Sequence, residues 1–168
     1  MELTFAPRDI LQINDARIIY RNLRGEGSKF NREGDRNFAV VIPNQELADE
    51  LIDRGWNVKI KEPRDEGEEP FRYLPVKVKF NDRGPQVYLV SGNAHRELSE
   101  DMVSIVDEID IRSVNLDVRP YDWEVNGKTG RTAYLQSMEV IQEIDRFAAR
   151  YAEEESPEEY ITVGGMGL

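Results

Sequence analysis

The chain has 168 residues, of which 33 are acidic, 22 basic and none cysteine, for a net charge of −11. That length fits one domain with its own core. The lack of cysteine excludes a disulfide framework, a thiolate metal site and a cysteine nucleophile, and the negative charge opposes a nonspecific coat on duplex DNA.

In chain order, Met1 to Asp9 has neither a basic nor an apolar signal region. No apolar run approaches the ~20 residues of a membrane span, so the expectation is a soluble cytoplasmic protein without membrane contact. Asp15 to Arg21 is rich in β-branched residues and predicts a strand. Arg36 to Ile42 predicts the next, stopped by Pro43. Asn44 is a good helix cap, Leu47, Leu51 and Ile52 follow at helical spacing, and Gly55 ends that helix. Trp56 to Lys61 alternates apolar and charged residues and predicts a half-buried strand. Glu62 to Pro70 is an acidic turn. Phe71 to Phe80 alternates again, with Pro75 marking an edge strand or a bulge.

After the turn Asn81–Pro85, Gln86 to Val90 predicts a short strand and Ser99 to Val106 a second helix. Val114–Val125 and Arg131–Ile141 flank Asn126-Gly127, a strong hairpin signal. Ile144 to Ala152 predicts a final helix. The sum is a mainly β fold of about seven strands with helical insertions. We expect an OB-like antiparallel β-barrel with two or three short helices over residues 1–152. A flexible acidic tail over 153–168 follows; a small α+β sandwich reads almost the same.

The segment Arg21–Phe38 stands out against its acidic surroundings. It holds five basic residues, three acidic residues, three glycines and two phenylalanines. Cations interleaved with rings suit an unpaired nucleic-acid strand, whose phosphates and bases they can meet separately. On this reading Arg21, Arg24, Lys29, Arg32 and Arg36 face phosphates and Phe30 stacks on a base. The bland reading is a salt-bridged hairpin with Phe30 folded onto the core. Lys77 and Lys79 extend the basic surface.

A second cluster lies in the hairpin 119–134: Arg119, Tyr121, Trp123, Lys128, Arg131 and Tyr134. Tyr121 and Trp123 share one strand face and form either a stacking platform or core. Asp122 and Glu124 on the other face favour burial of the pair.

Catalytic signals are weak. His95 is the single histidine and has no partner in sequence. Asp122 and Glu124 suggest a nuclease pair, but Asn126 stands where such a site needs lysine. Asp65, Glu66, Glu68 and Glu69 lack the spacing of a calcium loop, and Gly25-Glu26-Gly27-Ser28 lacks the Gly-Lys-Ser/Thr ending of a phosphate loop. The expectation is a non-enzymatic protein without cofactor or metal.

The stretches 25–38, Gly55–Lys59 (Gly-Trp-Asn-Val-Lys) and Arg119–Lys128 (Arg-Pro-Tyr-Asp-Trp-Glu-Val-Asn-Gly-Lys) resemble a group of tailed-bacteriophage single-stranded DNA-binding proteins. The resemblance covers most of residues 10–152. It implies an OB fold, an acidic C-terminal tail and a role in phage DNA replication or recombination, in the host cytoplasm. It also implies single-stranded DNA as partner, replication or recombination proteins as partners of the tail, and room for a homo-oligomer. The extreme end, Gly164-Gly165-Met166-Gly167-Leu168, departs from the acidic tails of that group. A rival expectation is a phage interaction or assembly module whose basic loop docks an acidic protein.

Overall fold

The computed structural model describes residues 1–147 and residue 150. Its strands are β1 (Glu2–Phe5), β2 (Leu11–Ala16), β3 (Ile18–Asn22), β4 (Arg36–Val41), β5 (Lys59–Lys61), β6 (Phe71–Val78), β7 (Gln86–Ser91), β8 (Ala94–Leu98), β9 (Ile111–Val125) and β10 (Lys128–Gln142). One α-helix, α1 (Gln45–Asp53), and two 3-10 turns, Pro7–Asp9 and Val103–Asp107, accompany them among the described residues.

The fold is mainly β, as expected, with one complete α-helix among the described residues. The segment Ser99–Val106 does not form an α-helix. Val103 and Val106 are both fully buried, and a spacing of three is the repeat of a 3-10 turn, which is what forms. The last predicted helix has its described helical residues at Arg146, Phe147 and Arg150; the rest of that expectation, and the acidic tail, lie outside the described residues. Helix α1 forms where expected. The Asn44 side chain accepts the Leu47 N–H at 2.9 Å, and Gly55 takes a left-handed φ of +89° that turns the chain out of the helix.

All ten strands join one sheet, whose main path runs β1-β2-β9-β10-β6-β4-β3. β5 lies beside β6, and β7 beside β10 with β8 outside it. The closed barrel expected from sequence is corrected to an open, curled sheet, because no ladder joins the two ends of this path. Among the described residues β1 pairs only β2 and β3 pairs only β4, so each end of the path keeps a free edge. Arg17 alone separates β2 from β3, so one bent stretch pairs β9 with its first half and β4 with its second.

The inward faces of these strands make the core. Leu11, Ile13, Val40, Leu74, Val76, Val114, Val118 and Val140 are all fully buried, with Phe38 beside them and Leu51 of α1 and Trp56 packed in. Burying a side chain of this size contributes about 1.5–3 kcal/mol.

Two local features shape the outer surface. Asn126 and Gly127 have φ of +53° and +79°, the pair of positive values that a tight hairpin of the I′ type requires. The expected Asn-Gly hairpin therefore joins the two longest strands. Pro75 lies in an interior strand, not an edge. β6 pairs β4 on one side from Tyr73 to Val78, while on the other it pairs β5 up to Tyr73 and β10 from Val76. Pro75 falls in the gap between those partners, where a missing N–H leaves no acceptor unmet.

Candidate nucleic-acid interface

Between β3 and β4 the chain makes the loop 23–35, and the polar atoms of that loop hold one another. Gly34 N–H donates to Gly25 O at 2.8 Å, closing the base. A side chain on Gly25 would come within 3.1 Å of the Gly34 backbone, so glycine is needed there. Glu33 accepts the Gly27 N–H at 2.8 Å. The Asn31 amide donates to the carbonyls of Glu26, Arg32 and Asp35 at 2.9–3.1 Å. Ser28 and Asn31 pair across a two-residue tip made of Lys29 and Phe30. Phe30 is 92% exposed, so the ring stands out from a stapled finger and is not folded onto the core.

The arginines at the base of this finger work differently. Arg21 donates to the carbonyls of Val106 and Ile109, both at 2.7 Å. Arg24 pairs with Glu108, and the Asp107 carboxylate accepts the Leu23 and Arg24 N–H groups at 2.8 and 2.9 Å. Arg36 donates to Leu23 O at 2.9 Å and to Glu100 at 2.8 Å, with its guanidinium 5.5 Å from the Phe80 ring centre. These contacts tie the loop to the 3-10 turn Val103–Asp107. Arg32 stays exposed, 3.7 Å from Asp35.

Beside the finger an open groove of about 760 Å³ runs over the outer face of β4 and β6. Period-two alternation sets its floor. Leu74, Val76 and Val78 point inward and are buried, while Tyr73, Pro75, Lys77 and Lys79 point outward. Strand pairing sets Asn37 opposite Lys77, Lys77 beside Tyr134, and Tyr134 opposite Arg119. Directly paired residues share a face, so these four cross the sheet as one row. The Arg119 guanidinium lies 4.9 Å from the centre of the Tyr134 ring. Ala39 and Pro75, paired in the next row, keep the floor low. Past Lys79 the surface continues into a cleft of about 480 Å³ lined by Arg83, Arg119 and Gln136.

The groove has a positive balance. Its two carboxylates, Asp35 and Glu100, each meet an arginine, Arg32 and Arg36. Lys77 and Lys79 are exposed and enter no ion pair among the described residues.

The β9–β10 hairpin extends past its neighbours. β2 last pairs it at Val118 and β6 at Ala133, so residues 121–132 project as a two-stranded arm. Its outer face carries Tyr121 and Trp123, exposed by 56% and 38%. The Tyr121 ring meets Tyr134 edge-on at 6.1 Å. Trp123 lies across Gly130, where a Cβ would sit 2.3 Å from the indole, and its N–H donates to the Thr132 hydroxyl at 3.2 Å. Lys128 is exposed at the tip.

The expected burial of the Tyr121–Trp123 pair is not found: both faces of the arm are exposed, and the opposite, charged face is tied to the body of the protein by one arginine. There Arg131, with a side chain only 16% exposed, donates to Asp122 at 2.7 and 3.0 Å, to Arg54 O at 3.2 Å and to Asp9 at 3.4 Å. It also lies 5.3 Å from the Trp56 ring centre. Its hydrogen bonds hold the Asp122 carboxyl below its ordinary value, and Asp122 raises the Arg131 guanidinium in turn. Arg131 thus anchors the arm.

Of the residues expected to face a ligand, Phe30, Arg32, Arg36, Lys77 and Lys79 line the groove, and Lys29 sits beside Phe30, 5.7 Å from its ring centre. Arg119, Tyr121 and Trp123 continue along the adjoining sheet face and arm. Arg21, Arg24 and Arg131 are engaged by the protein. Sequence reading did not single out Tyr73, Asn37, Phe80 or Tyr20, all of which line the groove. Tyr73 was within reach, because the 71–79 alternation puts it on the face of Lys77 and Lys79. Among the described residues no three His, Asp or Glu side chains gather to hold a metal ion, and no helix is long and apolar enough to cross a membrane.

Comparison with known proteins bears on this geometry. The family described as "Putative phage ssDNA-binding domain" matches residues 2–165. The solved single-stranded DNA-binding protein from bacteriophage Enc34 in complex with ssDNA has a TM-score of 0.52 and 18% identity, covering 86% of this chain and 93% of that one. A C-terminal truncation of the Enc34 protein gives 0.52 and 16%, covering 85% and 91%. A further structure of the same protein gives 0.52 and 14%, covering 88% and 93%. At these identities the likeness is one of fold. No curated protein matches the chain in sequence.

Proposed function

Because this chain belongs to the phage ssDNA-binding domain family, we propose that it captures single-stranded DNA without sequence preference in the groove over β4 and β6. The observation that carries this is the row Asn37, Lys77, Tyr134 and Arg119 beside the exposed Phe30. Lysines without an ion pair among the described residues meet phosphates there, and the exposed Phe30 ring meets a base. The two residues of the row whose types can read a base edge are committed to the protein: the Asn37 amide donates to Asn31 Oδ1 at 2.9 Å and the Arg119 guanidinium lies over the Tyr134 ring. We read the curled sheet as OB-type, its groove lying on the outer face of the β4–β6 pair and bounded by the 23–35 finger.

The protein acts on this reading as a non-catalytic binder in the host cytoplasm during phage DNA replication or recombination. The acidic segment 153–168, with Glu153, Glu154, Glu155, Glu158 and Glu159 and no basic residue, competes with the strand for the basic surface and speeds its release. Deleting it should tighten binding severalfold at low salt and less at high salt, where screening removes the competition; equal affinities at low salt would exclude the role.

The deciding experiment titrates the protein into labelled oligo-dT and into duplex of equal length. Tighter binding to oligo-dT supports the reading. Equal or weaker binding overturns it.

A further inference from the structure

We propose that Tyr20 stacks on an unpaired nucleobase at the end of the groove away from Lys79, and that a strained backbone holds it there. The inference rests on the groove being the strand site. It starts from the pairing of β3 with β4. Ile19 pairs Ala39 and Asn22 pairs Asn37, so Tyr20 and Arg21 together oppose the single residue Phe38. That is a β-bulge, and Tyr20 occupies it with φ of +52°. A bulge with a left-handed first residue normally uses glycine there. Asp9, Asp15 and Asn126 also have positive φ but are of the types that tolerate it, and Arg8, at +63°, lies in the 3-10 turn Pro7–Asp9 and not in a strand. A bulky ring in that region is an outlier.

Strain of this kind persists where the surroundings enforce it, and it collects at functional sites. The bulge aims two successive side chains at different tasks. Arg21 turns in to the Val106 and Ile109 carbonyls at 2.7 Å. Tyr20 turns out into the groove, 57% exposed.

The usual reasons for a tyrosine are missing. The ring is not buried, and its hydroxyl makes no hydrogen bond among the described residues. Among the described residues its one ring contact is Tyr73, with centroids 5.5 Å apart and planes at 81°. Two rings at that angle form a corner in which a base can stack on one ring while its edge meets the other. Tyr73 and Lys79 are six residues apart on one strand, about 20 Å. Tyr20 therefore extends the line of contacts from the phosphate-facing lysines to a base-facing end.

The test separates this assignment from the reading it rests on. Tyr20→Gly and Tyr20→Asn remove the ring and suit the left-handed backbone, and Tyr20→Trp keeps a stacking face. Each is titrated into labelled oligo-dT and melted beside the parent protein. The expected result is a melting temperature equal to or above the parent for glycine and asparagine, with affinity weaker by about tenfold, and near-parent affinity for tryptophan. Parent and variants that bind equally overturn the assignment alone. A parent that binds no oligonucleotide overturns the groove reading with it. As a check on the unaltered protein, photocrosslinking with iodo-uracil oligonucleotide followed by trypsin should label the peptide Ile18–Arg21; labels confined to other peptides overturn the proposal.

Discussion

The 23–35 finger and the 119–134 arm both carry the basic and aromatic residues that a nucleic-acid strand needs, yet they divide the labour in the same unexpected way. In the finger, Arg21, Arg24 and Arg36 bind the protein's own carbonyls and carboxylates, and the tip offers a lysine and a phenylalanine. In the arm, Arg131 binds Asp122, Asp9 and Trp56, and the outer face offers Tyr121 and Trp123. Arginine has a planar fork with five donors, which suits it to fastening irregular backbone. Lysine is a flexible point charge that fastens less and stays open to phosphate. The two regions differ in rigidity. The finger is stapled from within, whereas the arm is a two-stranded ribbon, marginal alone, and depends on one arginine.

That contrast is sharpest under substitution. The largest effect should come from the groove between the two regions. Lys77→Glu combined with Lys79→Glu should weaken oligo-dT binding by about 100-fold at low salt, since each reversal replaces a phosphate attraction with a repulsion. A loss under threefold in a filter-binding or anisotropy titration would move the site elsewhere.

Phe30→Ala comes next. The ring is exposed, so the melting temperature should hold while affinity falls by about 1–3 kcal/mol, the usual value of one base stack. A drop in melting temperature with unchanged affinity would make the finger structural.

Arg131→Ala should do the reverse, lowering stability by about 1–2 kcal/mol through loss of charged hydrogen bonds at a part-exposed site, with less than threefold effect on affinity. Calorimetry and titration on the same sample would show it. Strong loss of affinity without loss of stability would return Arg131 to the ligand.

The smallest effect concerns pH. Asp122 has a folded value below its unfolded one of ~3.9. Its contribution to stability is therefore present above that unfolded value and fades as pH falls through the lowered folded one. Melting temperatures taken from pH 5 down to pH 3 should fall less steeply for Asp122→Asn than for the parent. Parallel curves would mean that the pair does not hold the arm.

What could be read from the sequence was local. Asn126-Gly127 specified its turn because only those residue types take two successive positive φ values cheaply. Asn44 announced α1 through a cap that needs only the next three residues. The alternation of 71–79 gave both the strand and its outward face. The failures were nonlocal. Val103 and Val106 looked helical because a spacing of three fits two kinds of helix, and packing decides between them. Strand β8 was missed although Gly92-Asn93 marks its hairpin. Barrel closure depended on whether the two ends of a sheet meet in space, which no periodicity records. The same holds for the site. Sequence could list the basic and aromatic residues, but which arginines face carbonyls at Val106, Ile109 and Leu23 depends on partners 13 to 88 positions away.

The bend at Arg17 has a consequence for how this protein is made. Residues 11–22 link both halves of the curled sheet, but Leu11 pairs Val118 and Ile13 pairs Leu116, near the far end of the chain. A ribosome delivers roughly 5–20 residues per second, so the first strands wait several seconds or more for partners not yet synthesised. During that interval Leu11, Ile13 and the unpaired edge of β2 are open to other nascent chains. The domain can complete itself only once β9 and β10 have left the exit tunnel. Shortening the chain from its C-terminal side to any point before Ile111 should therefore yield aggregate and no smaller folded unit.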